Sequence, residues 1–446
     1  MRALVRLPAA VAAGLMLISC ASAPAPTPDP GQPPTPGPPA GTPPQPSPGQ
    51  PTALRPTISP PATAGPPATH GSPAPTGPID PNGEDWAYLA DFPVGEALAV
   101  SAVAATSEGF VAVGYQPAEG EGPDGIRQGV VWTSTDGIGW QRSTHEAFAG
   151  ASLDHVIELD GELFVFGYVS TCPAFDEDCP QLAEAGNAGW RRAADGWSRL
   201  TLPPLMPGAV IEGVAVGFDR LVVRGTLGDE EVEQALWLSH DGERWETVTE
   251  LAEIGFISEL VEGAGVLVGL GTSYDFDSDR ISTEAIYSSD GRSFQPAELP
   301  AALQVAVDGV AHGPAGLVAV GNQVPADPPE AGATVLRSED GIRWTAEQPA
   351  ALRGHAAVAV HAVPGGFVAL GSLALTDAGE PQAGVAWSST DGQAWQAIQP
   401  YDDAPFSEVT ATAAGPAGIV IFAIELSDER PVVHAWFGGS RVFALP

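Results

Sequence analysis

From Ser101 onward the chain alternates apolar and polar residues, turns at a glycine, and returns through an apolar run to a second glycine. SAVAATSEGFVAVG (101–114), VIELDGELFVFG (156–167), VAVGFDRLVVRG (214–225) and LVEGAGVLVGLG (260–271) carry the pattern first. VAHGPAGLVAVG (310–321), VAVHAVPGGFVALG (358–371) and VTATAAGPAGIVIFA (409–423) continue it. Period-two alternation around a tight turn predicts a β-hairpin in each copy. A further apolar strand such as GVVWTS (129–134), a polar turn and a strand such as WQRS (140–143) follow. Four strands per roughly 50 residues, seven times over, predict an all-β fold: a single β-propeller of seven four-stranded blades. Six or eight blades remain compatible if a degenerate unit is counted differently.

The polar turn itself repeats. Ser134, Asp136, Gly137 and Trp140 recur as Ser239, Asp241, Gly242 and Trp245, then as Ser288, Asp290, Gly291 and Phe294. Ser338, Asp340, Gly341 and Trp344, and Ser389, Asp391, Gly392 and Trp395, complete five full copies. Residues 195–197, DGW, are a copy shortened by two. From Trp140 the closing aromatics, Trp197 included, step by 57, 48, 49, 50 and 51 residues. Weaker copies lie at each end, NGEDW (82–86) and GGSRV (438–442), so either Asp85–Leu89 or Ser440–Leu445 is placed to complete the last blade. Aspartate suits such a turn because it accepts bonds from the turn's own N–H groups, and glycine because it takes positive φ.

These residues resemble the Asp-box, or BNR, repeat of sialidase-like propellers, written S-x-D-x-G-x-x-W and one residue longer between Asp and Gly. The resemblance spans residues 82–446 and implies that each motif is the peripheral turn between a blade's third and fourth strands, structural rather than catalytic. All eleven tryptophans fall in the predicted strands, a spacing that suits packing between blades better than an exposed sugar platform. The family's activity does not follow from the motif. Its first catalytic arginine sits in an Arg-Ile-Pro context, whereas the opening hairpin 97–114 contains no arginine and Arg-Ile occurs once, at Arg280-Ile281. No catalytic residue is assigned on this basis, and enzymatic activity is not expected.

The first 81 residues have a different character. Residues 1–19 read as a secretory signal, with two arginines before a short apolar run. Leu17-Ile18-Ser19-Cys20 resembles the lipobox of bacterial lipoproteins, which implies cleavage before Cys20 and acylation of that residue. Residues 20–81 are expected to be a disordered tether, since 23 of the chain's 46 prolines lie between 21 and 81. Fully extended, such a tether reaches roughly 190 Å. The expected location is therefore outside the cytoplasm, at the cell surface, anchored to the membrane through lipid alone. In that oxidising setting Cys172 and Cys179 are expected to form a disulfide.

Charge narrows the partners. Residues 86–446 carry 15 arginines, no lysine and 51 acids, which argues against nucleic acid and anionic membrane surfaces. Asp154, Glu212, Glu259 and Asp308 share a register, about thirteen residues before the glycine that ends each second strand, and are candidate acids at one mouth of the central channel. Neighbouring carboxylates there would raise one another's pKa or recruit a cation. Asp275, Asp277 and Asp279 alternate like the first half of a calcium loop, yet Arg280 and Ile286 stand where that loop needs Gly and Glu. An acidic blade loop accounts for them better than a metal site does, so calcium is the one cofactor in view and no other is indicated. Of eight scattered histidines none forms a metal-binding pair, and His361, alternating with apolar residues, reads as packed and hydrogen-bonded. No phosphate loop, dinucleotide fingerprint or nucleophile elbow occurs. The expected function is a monomeric, non-catalytic binding or scaffold module for a protein or glycan at the cell surface. A sialidase-like glycoside hydrolase or glycan-binding protein is the alternative.

Overall fold

Each repeat folds as one four-stranded antiparallel sheet in which sequence neighbours pair in order. The computed structural model describes residues 86–441 apart from 123–124, 171, 173–184, 194–195, 205, 228–232, 249–255, 276–279, 302, 324–331, 373–382, 399, 402–405 and 427–430. Blades 1 to 6 span 99–149, 151–199, 210–248, 256–296, 305–347 and 356–398. Blade 7 combines residues 408–439 with the N-terminal strand Trp86–Tyr88. First strands of adjacent blades touch all the way round, the first blade's against the seventh's, so the sheets close into a ring. This is a seven-bladed β-propeller. Helix among the described residues is limited to two 3₁₀ turns, Met206–Gly208 and Ala350–Leu352.

The N-terminal strand closes the ring. Trp86 pairs with Gly438 and Tyr88 with Trp436, covering the outer edge of Val432–Gly439. Glycine at 438 is required by that pairing, because a Cβ there would lie 2.5 Å from the Trp86 ring. Trp86 is buried against Tyr401, ring centroids 5.5 Å apart, and the Tyr88 hydroxyl meets His434 Nδ1 at 3.0 Å. The other terminal copy extends past residue 441, outside the described residues.

No single core runs through the molecule. The buried apolar residues form seven clusters, and each draws on two adjacent blades. Strand alternation explains this: both faces of a blade are apolar, and each face meets the next sheet. Trp132, Trp190, Trp237, Trp387 and Trp436, all in third strands, are fully buried in these seams.

The repeated turns plug the seams from one end. Ser134 Oγ accepts from Gly137 N at 2.9 Å, while Asp136 Oδ1 accepts from Ile138 N and Gly139 N at 2.9 and 2.8 Å. Asp241, Asp290, Asp340 and Asp391 accept the same pair of backbone bonds. These N–H donors, from Ser293 and Arg292, hold the Asp290 carboxyl at about 2, and those of Arg244 and Glu243 hold Asp241 well below the ordinary range. The five glycines have φ between +70° and +79°. Each rests on the preceding blade: Gly242 against Phe164, Gly291 against Phe218, Gly341 against Val266 and Val268, Gly392 against Val318, and Gly137 against Phe437. The closing aromatics follow, as in the edge-on contact of Trp140 with Phe422 at 5.5 Å.

Closure by three residues makes a sharp prediction. Trp86→Ala should lower unfolding free energy by about 3–5 kcal/mol, the cost of a large cavity in a core that cannot collapse around it. Denaturant unfolding of the two proteins measures it, and a loss below about 1 kcal/mol would remove the strand from its closing role.

Candidate functional site at the channel end

An up-and-down chain sorts its connections. The starts of the first strands and the loops between second and third strands share one end of the ring, and the repeated turns occupy the other. At the first end every innermost strand carries a β-bulge. Pairing skips Ser101, Asp154, Glu212, Ser258, Asp308, Val358 and Thr410 in blades 1 to 7. The residue before each bulge faces Gly114, Gly167, Gly225, Gly271, Gly321, Gly371 or Ala423. A Cβ on Gly167 or Gly371 would lie 2.0 Å from a carbonyl oxygen of the inner strand, which explains glycine at the end of the second strand.

The four candidate acids do reach this end, Asp154, Glu212 and Asp308 on bulges and Glu259 one residue past the bulge at Ser258. They do not form a ring of carboxylates set against one another. Arg224 Nη1 donates to Glu212 Oε2 at 2.8 Å, and both side chains are at most 7% exposed. Arg224 Nη2 also donates to the carbonyls of Glu212 and Ser258, each at 2.9 Å, so one guanidinium ties the bulges of blades 3 and 4 together. Asn322 Nδ2 donates to Asp308 Oδ2 at 2.7 Å and to Ala357 O at 2.8 Å, and its Oδ1 accepts from Ala357 N at 3.1 Å. That amide ties blade 5 to blade 6. Asp154 accepts from Ser152 Oγ at 3.3 Å and feels Arg127, whose guanidinium lies 4.3 Å from the centroid of the Tyr115 ring.

Burial, rather than mutual repulsion, is the main cause of the electrostatics here. It raises Asp154 to about 6 against the pull of Arg127, and Glu259 to about 7 against the pull of Arg224. Asp308 is pushed well up by burial, Asn322 opposes this, and Glu259 adds a smaller upward push. Arg224 is lowered by burial and supported by Glu212 and Glu259. Two histidines shift the opposite way. Burial, then the Arg224 charge, lowers His155 to about 4, and burial alone lowers His361 to about 4. His361 Nε2 meets Thr412 Oγ1 of the next blade at 2.8 Å.

Among the described residues no three His, Cys, Asp or Glu side chains gather to hold a metal. The side chain of Asp275, and all of Asp277 and Asp279, lie outside the described residues, as do Cys20 and Cys179. Cys172 is buried and disulfide-bonded. Sequence reasoning missed Arg224, Asn322 and the Tyr115–Arg127 pair. The available signal was a polar residue beside the glycine of an apolar run: Arg224 before Gly225, Asn322 after Gly321 and Tyr115 after Gly114.

No family model matches this sequence, and no curated protein matches it. Among solved structures, a mutant Trypanosoma rangeli sialidase displaying trans-sialidase activity is similar at 14% identity and a TM-score of 0.42, over 63% of this chain and 53% of that one. The chain thus spans about half the length of that sialidase. A polysaccharide lyase, the PL25 ulvan lyase, is similar at 12% identity and a TM-score of 0.48, over 79% of this chain and 95% of that one. Sialidase and lyase propellers are therefore structural neighbours. The fold class itself rests on the seven blades.

The raised carboxyls give a pH signature. A carboxyl raised in the folded state stabilises fully below its unfolded value near 4.3, and that stability is lost as pH climbs through the folded value. The lowered histidines slope the other way, so the effect is read as a difference between proteins. From about pH 5 to about pH 8, Glu259→Gln should gain on the order of 2 kcal/mol over the wild type. Denaturant midpoints at the two pH values measure this, and parallel profiles would place Glu259 in water.

Proposed function

We propose that this chain is a non-catalytic binding or scaffold module held outside the cytoplasm by acylation of Cys20. Residues 20–81 serve as its tether, and the loop-bearing end of the propeller is its contact surface. In this reading the five repeated turns are Asp-box repeats of a sialidase-like scaffold, and the partner is a protein or glycan at the cell surface. One observation carries the non-catalytic part: Glu212, Asp308, Arg224 and Asn322 at the channel end are bonded within and between blades. A catalytic carboxylate pair needs two groups facing a substrate from opposite sides. Bonds of this kind hold the ring instead.

A second reading has one specific support. Glu259, raised to about 7, is half protonated at neutral pH, and Asp154, raised to about 6, keeps its proton in mildly acid solution, as a general acid for glycan cleavage requires. The two readings separate in one experiment. The whole chain is incubated with ulvan, sialyllactose and neutral cell-wall glycans, and products are followed by mass spectrometry. The binding-module reading expects no turnover; turnover abolished by Asp154→Asn or Glu259→Gln would establish the enzyme. The anchor is tested separately. Cys20→Ser should release the protein from the membrane fraction, and retention there would refute acylation.

A further inference from the structure

Five of the seven blades carry the plug; blade 7 takes its fourth strand from the N-terminus instead, and in blade 2 the missing turn leaves a cleft. In blades 1, 3, 4, 5 and 6 the third strand ends on a buried serine that anchors the turn: Ser134, Ser239, Ser288, Ser338 and Ser389. Ser134 faces Phe110 and Ser239 faces Leu221 across the second strand. In blade 2, Phe164 pairs with Arg191, so the next position, opposite Leu163, belongs to Arg192, which is exposed. Ala193 already pairs with Gly196, so the third and fourth strands of blade 2 leave no room for the six residues, 135–140, that form the turn in blade 1. Trp197 keeps the aromatic's place and packs on Phe148 at 5.3 Å.

The consequence falls where the missing turn would rest. Gly341 and Gly392 sit on Val268 and Val318, each one residue past the serine's partner, and Gly242 sits on Phe164, one residue past Leu163. The equivalent residue of blade 1 is Val111, and it lines a cavity of about 350 Å³ between blades 1 and 2. A second lobe of about 170 Å³, lined by Val131 and Trp197, shares Thr133, Gln141, Leu163 and Arg192 with the first. The volume lies at the small end of ligand pockets, roughly 300–1,000 Å³.

We propose that this cleft binds one unit of a neutral saccharide. The floor is apolar, from Val111, Leu163 and Val131, and suits the C–H face of a sugar ring. Around it stand donors and acceptors of both kinds: the Arg192 guanidinium, the Gln141 amide, the Thr133 hydroxyl and the Glu108 carboxylate. Among the described residues nothing bonds to the side chains of Arg192 or Gln141, so both are available to sugar hydroxyls. Charge excludes acidic sugars. Glu108, Glu158 and Glu162 outnumber the two cations that line the cleft, Arg192 and, in the second lobe, Arg142, on a propeller rich in acids. Glu158 is already taken by the Ser107 N–H and hydroxyl at 2.7 and 2.5 Å, which fixes the rim rather than the ligand. The cleft opens on the repeated-turn end, opposite the channel acids, so it stands independently of the function proposed above.

The test is calorimetric titration of the full chain with glucose, galactose, mannose, N-acetylglucosamine and their β-linked disaccharides. Sialyllactose and a basic peptide serve as comparison ligands. Saturable binding to at least one neutral sugar is expected, with hydrogen exchange slowed in residues 131–143 and 158–163. Arg192→Ala and Gln141→Ala should each weaken that binding about tenfold, the loss of a hydrogen bond made in a partly enclosed site. Both are surface changes, and an unaltered melting temperature separates lost contacts from lost folding. Absence of binding to every neutral sugar overturns the proposal. So does binding that survives both substitutions, or binding of the sialoside or the peptide alone.

Discussion

Packing of one sheet face on the next is the constraint from which the rest of this structure follows. A four-stranded blade with two apolar faces cannot bury either face alone, and each cluster of buried residues is shared by two blades. A row of such blades would leave an apolar face open at both ends, and only a ring removes both. The N-terminal strand then has to seal the last sheet, which it does with Trp86 lying over the glycine at 438. The repeated turns belong to the same economy of space. Their hydrogen bonds shape a small glycine knuckle that fits into a seam, and the following aromatic covers it.

The inner wall obeys a related constraint. The innermost strand of every blade carries a bulge at the same position, where its pairing with the second strand skips one residue. The bulge brings a carbonyl onto the second strand, where a Cβ on Gly114, Gly167, Gly225, Gly321 or Gly371 would collide with it. It also turns polar side chains and carbonyls toward the neighbouring blade. Arg224 and Asn322 bond to that exposed backbone across the seam, so the polar groups of the channel end serve cohesion between neighbouring sheets. These groups are half-buried in the channel wall, and the partial loss of hydration raises the carboxyls of Asp154 and Glu259 and lowers His155.

Much of this was legible in the sequence, because repetition turns weak local signals into a ruler. The blade number came from glycine-ended runs and the aromatic spacing. Counting back thirteen residues from each glycine lands on the bulge in every blade, and in blade 4 on Ser258 rather than its neighbour Glu259. The partners of the acids were not legible. Arg224 and Asn322 lie on second strands and act across a seam, a relation that spacing along the chain does not encode. Which terminus closes the ring was equally hidden, since both ends carry a motif-like strand and the choice turns on an indole fitting over Gly438. The cleft between blades 1 and 2 had a visible trace in the shortened DGW copy. Its meaning needed the pairing register, which puts Arg192 where five other blades place serine.

The central claim is that the repeated turn is a plug for a seam and that blade 2 lacks it. Exchanging residues 192–196 for the blade 3 turn, residues 239–244, and comparing denaturant midpoints tests it most directly. A higher midpoint with the cleft filled is the predicted result, because the new glycine would rest on Val111 as Gly242 rests on Phe164. An unchanged or lower midpoint would contradict the account and leave the turns as decoration on sheets that pack without them.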